Sequence, residues 1–488
     1  MDQQSAGVTV PVEHVPRRVW WALTVMLAAA AMDLIDTTII NVAAPTIRTE
    51  LHASAAQIEW TVAAYALTFG VGLITGARLG DRYGRRQAFL VGVAGFVLAS
   101  LASGLAPDPA VLVVARAAQG LAAALMIPQI LTVIQVAIPA ERRARAIAGY
   151  GAAAAIGTVS GPLLGGVLIS ANLFGLGWRP IFLLNVPIGL IVIVVGAATL
   201  PDSRSERAQR LDLTGVFVLT IALLLVLFPL VEGPQLGWPT WTAAPLVAAL
   251  PVFGGFVAHQ RRQAGRSAPR LVALDLFTQR GFTGGVAAQV ALYAGVTGFF
   301  LVLALTLQSG QGYSALRTGL TFVAWSLGIA IASTASGTLA PRLGRRLTIT
   351  GALIMALGMV ALLVALALSA ERINPWTLVP GLFIAGLGMG AVAPTLMDVC
   401  LREVHSDDAG SASGVVTTAG QLGGALGVAG LGALYFSTLG GRPTRLHYTA
   451  ALTAGLYYQI GVFIIAALAM LLIPKPHQQE SLAAEEPL

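Results

Sequence analysis

Apolar runs of about twenty residues, the length that crosses the hydrocarbon core of a bilayer, recur fourteen times along the chain, separated by short segments that carry nearly all the charge. They lie near residues 18–43, 57–78, 88–106, 109–137, 145–170, 179–200, 213–232, 242–260, 281–308, 315–339, 347–369, 375–400, 411–436 and 449–473. Each predicts a membrane-spanning helix, so the expected fold class is an all-α membrane protein. The first run follows Arg17 and Arg18 but contains Asp33 and Asp36 and has no small-residue cleavage site, so it reads as a retained helix rather than a signal peptide. The longest polar segments, Pro201 to Asp212 and Arg261 to Leu274, read as linkers, and the tail after Pro474 is short.

One charged phrase occurs twice between apolar runs, LGDRYGRR from Leu79 to Arg86 and LAPRLGRR from Leu339 to Arg346, at an offset of 339 − 79 = 260 residues. That is too long for a small repeat and suits duplication of a whole multi-helix half. Each copy reads as a tight glycine-bearing hairpin that makes two spans neighbours. In the first copy Leu79, Asp81, Arg82, Gly84, Arg85 and Arg86 resemble the Gly-x-Leu-Ala-Asp-Arg-x-Gly-Arg-Arg signature between helices two and three of the major facilitator superfamily; Ala77 stands in place of its first Gly, and the second copy has Pro341 in place of the acid. The resemblance implies two six-helix halves. With 14 spans, two are inserted between them, giving an expected division into residues 1–200, an inserted pair at 201–274, residues 275–474 and a cytoplasmic tail at 475–488.

Composition agrees with lipid as the solvent. Charged residues are 10% against roughly 25% in soluble domains, and apolar residues are 56%. With both termini in the cytoplasm, 22 of the 29 Lys and Arg residues fall on the inside, six on the outside, and Arg116 lies within a span. The positive-inside rule is thus met, and an odd number of spans would destroy the asymmetry. The net charge of +7 is spread over loops rather than gathered in a stripe, which excludes a nucleic-acid partner. The single cysteine, Cys400, excludes an internal disulfide and a Cys-based metal site, and no metal cluster or cofactor is expected. Catalytic constellations and a phosphate-binding P-loop are lacking, so neither an enzyme nor an ATP-driven pump is expected. Arg at 28 against one Lys fits a GC-rich bacterial genome, and the resemblance implies an inner (cytoplasmic) membrane location.

Ionisable groups within spans cost a few kcal/mol and persist mainly where they face a cavity or a partner. The stretch Ile35-Asp36-Thr37-Thr38-Ile39-Ile40-Asn41-Val42-Ala43-Ala44-Pro45 resembles the Leu-Asp-x-Thr-x-x-Asn-Val-Ala-x-Pro signature of fourteen-helix drug:proton antiporters, which implies that Asp36 is the membrane acid. Asp33, three residues earlier, shares its helix face and is particular to this chain. Two carboxyls this close do not both ionise easily in low dielectric, so one is expected to keep a proton near neutral pH. In the fourth span, Arg116, Gln119 and Gly120 resemble the family's Arg-x-x-Gln-Gly motif. A buried Arg stays charged and needs a counter-ion, for which Asp36 is the leading candidate. The pair reads either as a switchable proton site or as a permanent structural one.

In the fifth span Gly157, Gly161, Pro162, Gly165 and Gly166 match the Gly-x-x-x-Gly-Pro-x-x-Gly-Gly motif that the superfamily carries in its exporters, which implies antiport. Glycines four apart permit close backbone approach, and the proline allows a bend. Candidates for a substrate pocket are Tyr65, Phe69, Gln119, Tyr293, Phe299, Phe322 and Trp325, since aromatic faces hold flat lipophilic molecules or cations. Glu59 and Glu232 are placed at the outer ends of their spans, and Asp398 reads as an interfacial ion-pair partner. The function these features predict is proton-coupled efflux of lipophilic or cationic drugs by alternating access, performed by a monomer in the bilayer with the proton as coupling ion. A proton-coupled symporter and a dedicated metabolite exporter on the same fold are the alternatives.

Overall fold

A computed structural model describes residues 17–204, 211–266, 268, 270–369, 372–402, 404, 409–440 and 443–473; the tail at 475–488 and both termini lie outside them. The helices are α1 (Arg17–Glu50), α2 (Ala55–Tyr83), α3 (Arg85–Gly104), α4 (Pro109–Ala137), α5 (Ala140–Ala171), α6 (Pro180–Leu183), α7 (Asn185–Thr199), α8 (Leu213–Leu236), α9 (Ala243–Gly265), α10 (Arg280–Leu305), α11 (Ala315–Leu343), α12 (Arg345–Leu368), α13 (Pro375–Leu401), α14 (Ala409–Leu439) and α15 (Arg445–Ala469). α6 and α7 together make the sixth span, so 14 helical segments among the described residues are long and apolar enough to cross a membrane. Among the described residues there is no strand.

Helix starts follow local chemistry. Ser54 and Gln57 form a reciprocal capping box at α2, and Asp108 and Ser314 accept the orphan amides of Val111 (3.0 Å) and Arg317 (3.2 Å). α1 runs seven residues beyond the expected end at 43, continuing through Pro45 to Glu50. An apolar run marks where lipid ends, whereas a helix stops where its backbone bonds stop.

The duplicated phrase is almost wholly helical. Gly84 (φ +109°) alone separates α2 from α3, and Gly344 (φ +48°) alone separates α11 from α12, again 344 − 84 = 260 residues apart. Both sit at positive φ, where a Cβ is penalised, so a single glycine makes each turn. An arginine beside each turn reaches the carbonyl end of a later span: Arg86 donates to Ala197 O past the middle of α7, and Arg345 to Leu471 O (3.1 Å) and Ile473 O beyond α15. Helix C-termini leave such carbonyls unpaired and favour a cation.

Within the first six spans α2 packs on α4, α3 on α4 and α1 on α5; in the last six, α11 and α12 pack on α13, and α10 on α14. The two groups meet along α2 with α14 and along α5 with α11, and α8 lies against the α2–α14 seam with α9 behind it. At the end remote from the hairpins α5 and α11 touch, with Leu316 N donating to Ser170 Oγ (3.3 Å) and a Cβ on Gly166 falling 2.7 Å from Leu316 Cα. The bundle is therefore shut between α5 and α11 at the far end. Toward the hairpin end Gly151 of α5 and Gly337 of α11 have no neighbour within 4 Å of a Cβ position.

Asp212 anchors the inserted pair. Its carboxylate accepts Gly215 N (2.8 Å), His259 Nε2 (2.9 Å), Gln260 Nε2 (2.7 Å) and Leu271 N (3.1 Å). Burial alone would raise its pKa, but the hydrogen bonds from His259, Gln260 and Gly215 hold it below the usual carboxylate value. This contribution to stability is present above the ordinary carboxylate pKa and is lost as pH falls through the depressed one.

Candidate functional site

Asp36 is fully buried on α1, and three donors from two other elements converge on it. Arg116 Nη1 of α4 donates to Asp36 Oδ2 (2.5 Å), while Gln119 Nε2 (2.8 Å) and Asn185 Nδ2 of α7 (2.7 Å) donate to Oδ1. Ser100 Oγ of α3 accepts from the same Gln119 (2.8 Å) and Asn185 (3.2 Å) amides, and Arg116 also donates to Gln119 Oε1 (2.7 Å) and, through Nε, to Thr61 O (3.1 Å). The guanidinium lies 4.4 Å from the Tyr65 ring centroid and 5.7 Å from that of Phe182. The counter-ion of Arg116 is thus Asp36, in a network that leaves neither charge facing lipid. Breaking one side of such a pair costs about 3–5 kcal/mol, because the other charge stays buried.

Asp33, one turn away and only 4% exposed, has a different setting. The one hydrogen bond to its carboxyl among the described residues is from the Tyr65 hydroxyl, and no cation there pairs with it. Tyr65 therefore touches both halves of the constellation, with its hydroxyl on Asp33 and its ring under Arg116. Chemically, Asp36 is saturated as a carboxylate, whereas Asp33 can take up a proton or a cation without dismantling the ion pair.

The fifth-span glycines lie directly behind this site. Cβ positions at Gly157, Gly161 and Gly165 would fall 2.8 Å from Ala31 O, 3.0 Å from Ile35 O and 2.8 Å from Ile39 Cγ1, so the α1 and α5 backbones touch along two turns. Pro162 and Gly166 face the other way, against Gly319 and Leu316 of α11. α5 is thus wedged between the acid-bearing helix and the second group of spans. At the hairpin, Asp81 pairs across the turn with Arg85 (2.8 Å), and Arg82 lies over the Tyr83 ring (5.6 Å).

The structure brings Asp33, Asp36, Arg116, Tyr65 and Gln119 into one site and packs Phe69 in the same apolar core. Phe299, Phe322 and Trp325 lie elsewhere, gathered around Phe300, whose ring centroid is 5.3, 5.0 and 5.2 Å from theirs. Tyr293 faces the backbone of α14 at Gly420. Asp398 pairs with Arg402 (2.7 Å). Sequence reasoning missed Asn185, Ser100 and Phe300. An amide inside an apolar run was a usable signal for Asn185; a serine or a phenylalanine in a span carries none.

A model of the Major Facilitator Superfamily matches residues 26–428. The chain is 41% identical over 428 residues to a probable actinorhodin transporter of Streptomyces coelicolor, spanning 88% of this chain and 74% of that one. It is 36% identical to the puromycin resistance protein pur8 of Streptomyces alboniger, over 95% and 94% of the two chains, and 32% identical to the tetracenomycin C resistance and export protein of Streptomyces glaucescens, over 90% and 80%. Among solved structures, a bacterial homologue of the human lysosomal transporter Spinster, inward-facing and occupied, superposes with a TM-score of 0.66 at 16% identity, covering 94% of this chain and 97% of that one. With duplicated hairpins, fourteen spans and a family match over most of its length, this multi-pass bacterial membrane protein belongs to the major facilitator superfamily.

Proposed function

We propose that the chain is a proton-driven antiporter that exports lipophilic drugs or antibiotics, cations among them, across the bacterial cytoplasmic membrane. Relatives named for antibiotic export and resistance support the substrate class. The observation that carries the proton coupling is the pair of unlike carboxyls on one helix face, Asp36 saturated by Arg116, Gln119 and Asn185 and Asp33 held by a phenol alone.

In this reading the hairpin end is cytoplasmic, as are both termini, and residues 1–200 and 275–474 rock as two halves with 201–274 between them. The end closed by the α5–α11 contact then faces outward. A cationic substrate and a proton exclude one another at Asp33 because both need its single negative charge. Asp36 and Arg116 hold the frame, and Tyr65 reports the state of Asp33 to the guanidinium it underlies. With the far end open, an external proton displaces substrate outward; after the halves rock back, the proton leaves inward, and each charge crossing gains about 2.3 kcal/mol per 100 mV. A small molecule, the bilayer and the proton are the only partners this cycle requires, and one copy of the chain suffices.

Inside-out vesicles with an acid interior are expected to accumulate a cationic test drug such as ethidium. Asp33→Asn is expected to lower that gradient-driven uptake at least about tenfold, since one lost charge contact of 1.4 kcal/mol or more has that effect, while the variant purifies in wild-type yield. Accumulation in right-side-out vesicles with inward proton flow overturns export, and undiminished uptake by Asp33→Asn overturns its role.

A further inference from the structure

Glu59 lies on α2 one turn from its start, at the end of the bundle remote from Gly84, and the site around Asp33 and Asp36 does not use it. It is 1% exposed, its Oε2 is enclosed with no hydrogen-bond partner, and no ion pair reaches it among the described residues. Its carboxyl fills a notch in α14: a Cβ on Gly432 would overlap Oε2 and fall 2.8 Å from Oε1, so only glycine at 432 lets the side chain in. The carboxyl therefore crosses the seam between the two halves at the closed end.

The neighbouring charges do not compensate it. On α8, Glu232 faces it with the same sign and accepts the indole N–H of Trp60 (3.1 Å). On α4, Arg116 is committed to Asp36, and Asp108 caps its own helix. On α1, Arg48 lies over Phe436 (5.8 Å), and Glu50 is 3.9 Å from Arg179. α14 carries no charged residue, and the Tyr435 hydroxyl on it pairs with Thr306 (2.9 Å). α3, which packs on α2, carries charge only at the hairpin, in Arg85 and Arg86. An isolated carboxylate so enclosed would cost several kcal/mol, which protonation removes.

We infer that Glu59 is a second proton-binding group, separate from the Asp33–Asp36 site, whose proton is taken up from the outside as the outer ends of α2 and α14 close and is returned to external water as they part. The inference rests on the proposed alternating access and orientation and adds a proton-linked outer gate to them. Closing seats the neutral carboxyl in the Gly432 notch. Parting the helices wets it, and the proton dissociates to water from the carboxyl oxygen. One linked proton changes the open-to-closed ratio by up to about tenfold per pH unit.

The test is the distance between spin labels on Thr49→Cys and Ser437→Cys, both exposed positions near the outer ends, in a Cys400→Ala chain reconstituted in vesicles and measured from pH 5 to pH 8. The parent chain is expected to shift toward the long distance as pH rises. Glu59→Gln, which cannot ionise, is expected to stay short at every pH, with an open fraction at pH 8 at least about tenfold below the parent. Glu59→Asp, which can ionise, is expected to restore the pH response, which a purely structural role would not predict. A pH response in Glu59→Gln equal to the parent's overturns the inference. A parent that pumps ethidium on a proton gradient yet shows no pH-dependent distance also overturns it while leaving the export reading intact. Export itself fails if the parent does not accumulate ethidium in acid-loaded inside-out vesicles.

Discussion

Asp36→Asn abolishes gradient-driven export and lowers the stability of the fold by about 3–5 kcal/mol, the cost of leaving one member of a buried pair uncompensated. The Arg116 guanidinium keeps its charge, and the asparagine amide offers one acceptor where the carboxylate met three donors, from Arg116, Gln119 and Asn185. The NH₂ of the new side chain also points donor to donor at one of them. Because the loss is electrostatic, Asp36→Asn combined with Arg116→Gln recovers much of the melting temperature of the detergent-solubilised protein but none of the transport. A single variant that melts like the parent and still concentrates ethidium in inside-out vesicles would remove Asp36 from the mechanism.

Gly161→Leu is expected to eliminate resistance to an exported drug and accumulation in vesicles, with the chain still inserted. A Cβ at 161 already overlaps Thr38 Oγ1 and lies 3.0 Å from both Ile35 O and Thr38 Cβ, so even Ala must push α1 away from α5. The Thr38 hydroxyl is tied to Leu34 O at 2.7 Å and cannot swing clear without loss. Overpacking of this kind costs about 1–3 kcal/mol, too little to unfold a fourteen-span bundle. It does shift the turn that holds Asp36, two residues from Thr38, against donors whose bonds tolerate only a few tenths of an ångström. Gly161→Ala should fall between parent and Leu in a graded loss of uptake, measured with expression and monodispersity. Wild-type accumulation by a folded Gly161→Leu protein would contradict the α1–α5 contact as a coupling element.

α5 gives these two predictions a common physical basis. Its glycine face sets the position of the acid-bearing helix, and its opposite face, at Pro162 and Gly166, rests on α11. In the proposed cycle, motion between the halves along α5 and α11 would be felt at α1 through backbone contact.

Legible in the amino-acid order were the spans, the duplicated glycine-bearing hairpins and the need of Arg116 for an acidic partner, with Asp36 the leading candidate. Lipid punishes an unpaired charge so heavily that one Arg and a neighbouring acid inside spans must find each other. The amino-acid order also marked Gly157, Gly161 and Gly165 as a face of close backbone approach, but that α1 is the helix they meet came only from the packing. Tertiary structure alone decided which acid is saturated, through Asn185 and Ser100 from α7 and α3 and through the Tyr65 hydroxyl on Asp33. It alone separated the aromatic candidates, placing Tyr65 under Arg116 and Phe299, Phe322 and Trp325 around Phe300, and it alone set Glu59 into the Gly432 notch. Lipid tails are as apolar as a leucine side chain, so hydrophobic periodicity does not tell a lipid-facing surface from a protein-facing one. Which uncharged side chains meet across helices is written only in the packing.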